Sequence, residues 1–131
     1  MNMDTVTQYL LGKPEAVEDY PFGDEVMVFK VKGKMFALCF HHQSAGQGNS
    51  ERVNLKCDPD QAFILRDIFD AIIPGYHMNK KHWNTVILNN TIPAGEIERM
   101  IDHSYELVVR GLTKKQRMAL EIKHGPEELY R

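Results

Sequence analysis

The densest group of side chains able to do chemistry in this sequence lies in the nine residues from Tyr76 to Asn84. This segment contains two lysines, two histidines, two aromatic rings and two amides. Surfaces that contact a phosphate backbone and stack on bases combine these groups. The segment is therefore a candidate nucleic-acid contact, in which Lys80 and Lys81 are free to meet phosphate. Trp83 fits either a core anchor at the start of a strand, which is the favoured interpretation, or an exposed stacking platform.

The histidines do not have the spacing of a metal site. His41 and His42 are adjacent, so in an extended chain their side chains point to opposite faces. His77 and His82 are five residues apart, with no carboxylate or cysteine between them, which is not a zinc signature. We therefore predict no metal ligands.

Catalytic motifs are also missing from the sequence. Asp102, His103 and Ser104 are the residue types of a hydrolase triad, but neighbours on a helix diverge by about 100° each and cannot converge on a substrate. The spacings of nucleophile elbows, dinucleotide-binding folds and phosphate-binding loops do not occur. The sequence predicts no catalytic residues, no cofactor and no small-molecule substrate.

The composition is that of one folded domain, with 131 residues of which 43% are hydrophobic and 26% charged. The longest apolar run, Met35 to Phe40, has six residues, well short of the ~20 that cross a bilayer. The start of the chain lacks the basic and apolar blocks of a secretory signal. Cys39 and Cys57 have no CxxC spacing and are expected to be small buried hydrophobes. We expect a single domain over residues 1–131, cytoplasmic and with no membrane partner.

Charge is unevenly distributed along the chain. Sixteen basic and 18 acidic side chains give a net charge of −2. Residues 1–25 carry one base and six acids, whereas residues 26–57 carry five bases and one acid, and residues 76–90 carry two bases and no acid. One surface can therefore be positive although the whole protein is not.

Two apolar runs, Val26 to Val31 and Lys34 to Phe40, predict a β-hairpin with a two-residue turn. A regular register gives one core side to the hairpin. Its predicted facing pairs are Phe29 with Phe36 and Met27 with Leu38. The opposite side is less polar than a fully solvated face, since it holds Val28, Lys30, Met35 and Ala37.

The stretch from His41 to Glu51 is rich in glycine and small polar residues and is predicted to be a mobile loop. The residues from Arg52 to Lys56 then alternate strictly, with Val53 and Leu55 pointing inward. Arg52, Asn54 and Lys56 point outward, so we predict a half-buried strand with a cationic outer side.

The rest of the chain predicts helices and one more strand, recognised by caps and apolar spacing. The predicted helices begin near Asp4, Asp58, Pro93 and Thr113 and end near Gly12, Pro74, Gly111 and His124, and the strand spans Asn84 to Leu88. Hairpins with helices inserted between groups of strands are typical of an α+β fold of two layers, an antiparallel sheet with helices packed on one face.

Five sequence blocks, in order between about residues 20 and 110, carry a family resemblance. They are Tyr20–Gly23 (YPFG), Val28–Leu38 (VFKVKGKMFAL), Val53–Cys57 (VNLKC), Pro74–Trp83 (PGYHMNKKHW) and Ile101–Tyr105 (IDHSY). Together they resemble the MmcQ/YjbR family of small bacterial proteins, and the fourth block is highly specific. The resemblance implies a two-layer α+β fold of the type III secretion chaperone-like kind, and the label commonly given to the family implies DNA binding.

Three functions remain as hypotheses. Duplex DNA would be bound by the outward strand face together with the lysine-rich segment, because a merged patch is needed for a protein of negative net charge to attract a polyanion. The predicted contacts are Lys30, Lys34, Arg52, Asn54, Lys56, His77, Lys80, Lys81, His82 and Trp83. The alternative, which the chaperone-like fold implies, is a protein-interaction or dimerising module without DNA binding. An enzyme would need a pocket around His77, His82 and Trp83.

Overall fold

A computed structural model describes residues 1–41 and 51–130, where the chain forms six strands and five helices. The strands are β1 (Val17–Asp19), β2 (Val26–Val31), β3 (Lys34–Phe40), β4 (Arg52–Lys56), β5 (Ile72–Pro74) and β6 (Trp83–Ile87). The helices are α1 (Met3–Leu11), α2 (Pro59–Ile68), α3 (Ala94–Arg110), α4 (Lys114–His124) and α5 (Pro126–Leu129). Most of the predicted loop from His41 to Glu51 lies outside the described residues.

The strands form one antiparallel sheet in the order β1-β2-β3-β4-β6-β5. On one face α3 packs across β2, β3 and β4, with α1 against β3 and α2 beside β5. We call this side of the sheet the helix-covered face. The predicted two-layer α+β fold is confirmed. On the other face, here called the open face, the segment 75–82 between β5 and β6 is hydrogen-bonded to the strands.

The main hydrophobic core lies on the helix-covered face. Phe29 and Phe36 are both fully buried there, which confirms their predicted burial. The Phe36 ring stands edge-on to Tyr105 of α3, with 5.2 Å between ring centroids. The Tyr105 hydroxyl donates to the Pro14 carbonyl at 2.7 Å, so the polar end of this buried ring is satisfied. These contacts fix α3 on the sheet.

The predicted register of the hairpin is wrong beyond its first two pairs. Lys30 pairs with Met35, but Phe29 then pairs with Ala37 rather than with Phe36, and Met27 pairs with Cys39 rather than with Leu38. One extra residue on β3 makes a β-bulge, which a sequence pattern of period two does not reveal. Because of the bulge, the consecutive residues Phe36 and Ala37 are both buried in the main core, and Leu38 lies on the open face.

Ser104 of α3 fills the gap that the bulge opens between β3 and β4. Its hydroxyl donates to the Phe36 carbonyl at 2.6 Å and accepts from the Lys56 amide at 2.9 Å. The side chain is fully buried. A helix residue therefore replaces a hydrogen bond of the sheet and satisfies two backbone groups that would otherwise be buried without partners.

Two helix ends differ from the predictions, the start of α1 and the end of α2. The N-cap of α1 is Asn2, two residues before Asp4. The predicted second helix stops at Ile68, and Ile72 instead belongs to the short edge strand β5, whose position allows Pro74 in a strand. The end of α3 at Gly111 and the capping box that starts α4 at Thr113 are confirmed.

Both cysteines are buried free thiols, as predicted. Burial raises the pKa of each thiol, to about 11 for Cys57. Both therefore stay protonated at neutral pH. None of the helices within residues 1–41 and 51–130 is long and apolar enough to cross a bilayer.

Candidate nucleic-acid interface

Four of the predicted contact residues lie at one end of the sheet. Lys34 opens β3 and Lys56 ends β4, which brings them together because the two strands are antiparallel. Lys56 is in turn paired with Trp83, the first residue of β6, and Lys80 and Lys81 shortly precede that strand. The ends of neighbouring strands therefore place these lysines at the same end of the sheet. We call Lys34, Lys56, Lys80 and Lys81 the lysine end.

The ammonium groups of the lysine end are not neutralised by ion pairs. Within the described part of the chain, no carboxylate oxygen lies within 4.0 Å of any of the four. Lys34, Lys80 and Lys81 are exposed and Lys56 is half-buried. A weak polar contact joins the Lys80 ammonium to the Gly75 carbonyl at 3.4 Å. These cations are available to an external anion.

The surface between Lys34 and Lys56 is concave. Both lysines line a shallow depression of about 350 Å³, together with Met35 of β3 and Leu107 and Val108 of α3. The aliphatic floor supports the lysine stems while their charged ends reach solvent. This geometry suits a phosphate group or another anion presented by a larger partner.

Lys30 was predicted in the same patch, but it is already paired. Its ammonium lies 2.8 Å from a carboxylate oxygen of Asp19 on the neighbouring strand β1. Hydrogen bonding from Lys30 lowers the pKa of Asp19, so the pair stays ionised at neutral pH. The sequence analysis did not predict β1, and it therefore did not place Asp19 beside Lys30, whose charge the Asp19 carboxylate neutralises.

Arg52 and Asn54 do not form the exposed cationic strand face that was predicted. They do point to the open face, but Arg52 is only 3% exposed and Asn54 is fully buried. Burial lowers the pKa of the Arg52 guanidinium, although an arginine remains charged at physiological pH. Neither side chain can read the edge of a base, so both are removed from the candidate interface.

Asn54 has a structural role in holding the segment 75–82. Its amide nitrogen donates to the Tyr76 carbonyl at 2.9 Å, and its oxygen accepts from the Thr85 hydroxyl at 2.5 Å. The Thr85 hydroxyl also accepts from the Tyr76 amide at 2.9 Å. These buried bonds bind the segment across the sheet and position Lys80 and Lys81 at its end.

Trp83 is a core anchor, as the favoured interpretation held. It is 8% exposed and packs with Val28 and Leu38 on the open face. The backbone of Gly75 passes so close that a Cβ there would lie 2.7 Å from the Cβ of Trp83. Because its ring is buried, Trp83 cannot stack on a base, and its assignment as a nucleic-acid contact is wrong.

The two histidines of the segment lie in different surroundings. The carbonyl of His82 accepts from the Cys57 amide at 2.8 Å, and its side chain is half-buried. His77 is exposed and has a positive φ of 61°. Its ring contacts that of Tyr76 in a tilted arrangement, with 3.9 Å between ring centroids. A positive φ in a residue other than glycine is uncommon and shows that the surrounding contacts fix this turn.

An apolar concavity of about 260 Å³ on the open face was not foreseen as a site. It is lined by Phe22, Val26, Leu38, Phe40, Tyr76, His77 and Met78. The sequence indicated this concavity only through the unusually apolar outer side of the hairpin. The bulge adds Leu38 to the apolar side chains of this face.

The triad-like residues of α3 each have a different partner. Asp102 accepts from the Lys13 ammonium at 2.7 Å and from the Tyr9 hydroxyl at 2.8 Å. His103 accepts at Nε2 from the Asp58 amide at 3.2 Å, and burial lowers its pKa. Ser104 bonds to the sheet. The side chains diverge as helical geometry requires.

Comparison with known proteins identifies the family. The family model described as YjbR matches residues 11–107, which is most of the chain. The chain belongs to the YjbR family. It is 38% identical to the protein YbdF of Escherichia coli O157:H7 over 112 residues, covering 86% of this chain and 88% of YbdF. It is 30% identical to YjbR of Escherichia coli K12 over 120 residues, covering 92% and 98% of the two chains.

Solved structures of similar proteins share the fold. The crystal structure of the Deinococcus radiodurans protein DR2400 superimposes with a TM-score of 0.80 at 38% identity, over 91% of this chain and 87% of that one. A Pseudomonas syringae protein gives 0.70 at 31% identity, over 82% and 98%. The names of these bacterial proteins state neither a ligand nor a reaction. The function must therefore be argued from the site.

Proposed function

We propose that this YjbR-family protein binds duplex DNA weakly and without sequence selectivity through the lysine end. The observation that carries the proposal is that neighbouring strands place Lys34, Lys56, Lys80 and Lys81 at the same end of the sheet, with no carboxylate partner for any of them in the described chain. Phosphate groups are the commonest contacts of DNA-binding proteins, and lysine ammonium groups bind them as point charges.

The absence of sequence selectivity follows from which residues are accessible. The side chains suited to hydrogen-bond a base edge or to stack on it, Arg52, Asn54 and Trp83, are buried. Lysines that contact phosphate fix position and carry no sequence information. The expected affinity is that of non-specific electrostatic binding, about micromolar or weaker at physiological salt.

The acidic part of the chain does not exclude this function. Residues 1–25 carry six of the 18 acids, and two of these, Glu15 and Asp19, form ion pairs within the fold. The carboxylate of Glu15 lies 2.9 Å from the Lys32 ammonium, and that of Asp19 lies 2.8 Å from Lys30. A positive edge on a protein of net charge −2 therefore orients the molecule toward a polyanion.

The test is a double substitution with a charge-matched control. Lys80→Ala with Lys81→Ala should weaken binding to all duplexes alike and reduce the slope of log affinity against log salt by up to about two. Lys114→Ala with Lys123→Ala also removes two positive charges, from exposed positions on α4 outside the lysine end. This control should leave the slope unchanged, as measured by fluorescence anisotropy. Equal effects of the two pairs would refute a localised interface.

Protein interaction is the second candidate function, and the apolar concavity on the open face favours it. Phe22 at its rim is 61% exposed, and the other lining side chains are largely apolar. Exposed apolar surface of this kind marks interaction sites. Binding there would resist salt, because an apolar contact is not screened. A partner retained at high salt and released by Phe22→Asp, with DNA binding absent, would favour this function over the first.

A further inference from the structure

Helix α2 exposes an apolar surface that the fold does not use. Phe63 is 73% exposed, Ile64 54% and Ile68 61%. Only Ala62 and Leu65 of this helix are buried. Three large apolar side chains on consecutive turns form a contiguous patch, which in a folded domain marks an interaction surface.

Acidic side chains flank this patch at both ends. Asp60 precedes Phe63 by three residues and Ile64 by four, and Asp67 follows them at the same spacings. These spacings place all four side chains on one face of the helix. The basic residue of α2, Arg66, points away from that face, because its Nε donates to Asn84 Oδ1 at 2.7 Å. The exposed face of α2 is therefore apolar with acidic ends.

Helix α4 has the opposite charge around a similar patch. Met118 is 45% exposed and Ile122 83%, while Leu120 points inward and is fully buried. Lys115 lies three residues before Met118 and is exposed. Lys123 directly follows Ile122 and so points away from this face, and its ammonium lies 3.9 Å from a carboxylate oxygen of Glu15. The outer face of α4 is therefore apolar with a basic N-terminal end.

The two faces are complementary in charge. In an antiparallel pair, Asp67 at the C-terminal end of the α2 face meets Lys115 at the N-terminal end of the α4 face. This orientation also places the two helix dipoles antiparallel, which is favourable. Two α2 faces would instead bring carboxylates together.

We propose that the α2 face of one copy packs against the α4 face of a second copy of this chain. The two helices flank opposite ends of α3. α2 is linked to its first half by Arg99 and Gln61 at 3.2 Å, and α4 to its last residue by Arg117 and the Arg110 carbonyl at 3.3 Å. Because each copy carries both faces, a two-fold arrangement of two copies would make the contact twice and close a dimer. The interface is separate from the lysine end and does not depend on DNA binding.

Charge reversal tests the pairing without weakening either helix. Asp67→Lys adds a cation to the last turn of α2, and Lys115→Glu adds an anion to the first turn of α4, and both changes suit the helix dipole. Each single variant should dissociate about tenfold or more readily than the parent. The variant with both changes should recover the parent's dimer. Sedimentation equilibrium measures this against the 15.1 kDa chain mass.

Mixing the two single variants provides the sharpest result. In the mixed dimer, the lysine introduced by Asp67→Lys would meet the glutamate introduced by Lys115→Glu at one contact. At the other contact the unchanged Asp67 and Lys115 would meet, so both contacts are attractive. The mixture should therefore dimerise although each variant alone does so poorly.

A matched pair of apolar substitutions separates this interface from the rest of the surface. Val17→Ser removes an exposed apolar side chain from β1, outside both proposed contact surfaces, and should leave the dimer unchanged, whereas Ile122→Ser should weaken it. A parent that stays monomeric, or single variants that do not recover on mixing, would overturn the proposal.

Discussion

The two faces of the sheet bury different kinds of side chain. The helix-covered face buries large apolar groups such as Phe29 and Phe36 under α3. The open face buries the polar residues Arg52, Asn54 and Thr85 beside Leu38. Alternation along a strand assigns each side chain to a face. Whether that side chain is exposed depends on what covers the face, and here a hydrogen-bonded segment covers much of the second one.

The largest effect should come from emptying the helix-covered core. Phe36→Ala removes a fully buried ring and its contact with Tyr105. We expect a loss of about 3–5 kcal/mol in the free energy of unfolding, because the rigid surroundings leave a cavity. Urea denaturation followed by circular dichroism measures this loss.

Leu38→Ala is the matched change on the open face, where the cluster is small and edged by partly buried residues. Its cost should lie near the lower end of the range for such substitutions, about 2 kcal/mol. If Leu38→Ala costs as much as Phe36→Ala, the distinction between a main and a minor core is wrong.

A smaller effect should come from the buried polar network of the open face. Asn54→Ala leaves the Tyr76 carbonyl and the Thr85 hydroxyl without their bonds to Asn54. We expect a cost of about 1–3 kcal/mol and faster hydrogen exchange confined to the segment 75–82. Hydrogen exchange with mass spectrometry shows both the size and the place.

Ser104→Ala is the corresponding polar change on the helix-covered face. It should cost a similar amount, about 1–3 kcal/mol, but the exchange should rise at the Lys56 amide, which donates to Ser104. If Asn54→Ala leaves exchange in the segment 75–82 unchanged, that segment is not held by the open face.

The smallest effect concerns the charges that join the helix layer to the hairpin. Hydrogen bonds from Lys32 and His124 lower the pKa of Glu15 below its ordinary value of 4.5. A lowered pKa in the folded state means that the contribution to stability is present above that ordinary value and is lost as the pH falls through the folded-state pKa. Since Glu15 is partly exposed, we expect about 1 kcal/mol or less.

Glu15→Gln isolates this contribution. The free energies of unfolding of the parent and the variant should differ near neutral pH and converge as the pH falls below 4.5 and then through the lowered pKa of Glu15 in the folded state. Thermal denaturation over that range measures the difference. A difference that grows toward acid pH would have the wrong sign for a carboxylate stabilised in its charged form.

The fold was predictable where several local signals agreed. The long amphipathic pattern of α3 and the capping box at Thr113 gave correct helices, and the hairpin was placed correctly along the chain. β1 and β5 were missed because three-residue edge strands carry too little pattern. The bulge in β3 is hydrogen-bonded to Ser104, which comes 68 residues after Phe36. No local pattern contains that contact.

The candidate site was predictable in part for the same reason. Arg52, Lys56, Lys80 and Lys81 were expected in one patch, because only a merged patch lets a protein of net charge −2 attract a polyanion. Strand pairing does bring Lys56 and the strand that follows Lys80 and Lys81 to the same end of the sheet, but Arg52 is buried. Burial of Trp83 was the favoured interpretation, but burial of Arg52 could not be foreseen, since it depends on how the segment 75–82 folds back across the sheet. Lysines remain at the surface almost wherever they occur, whereas arginine and tryptophan take their exposure from their surroundings.

The salt dependence of DNA binding by the unmodified protein tests the central claim most directly. Affinity for a short duplex is measured by fluorescence anisotropy from about 50 to 200 mM salt, where phosphate contacts weaken steeply. Four lysine contacts predict a slope of log affinity against log salt of about −3.6, with the same slope for unrelated duplex sequences. No binding at about 50 mM salt, or binding that does not respond to salt, would contradict the assignment of the lysine end as a DNA-binding surface.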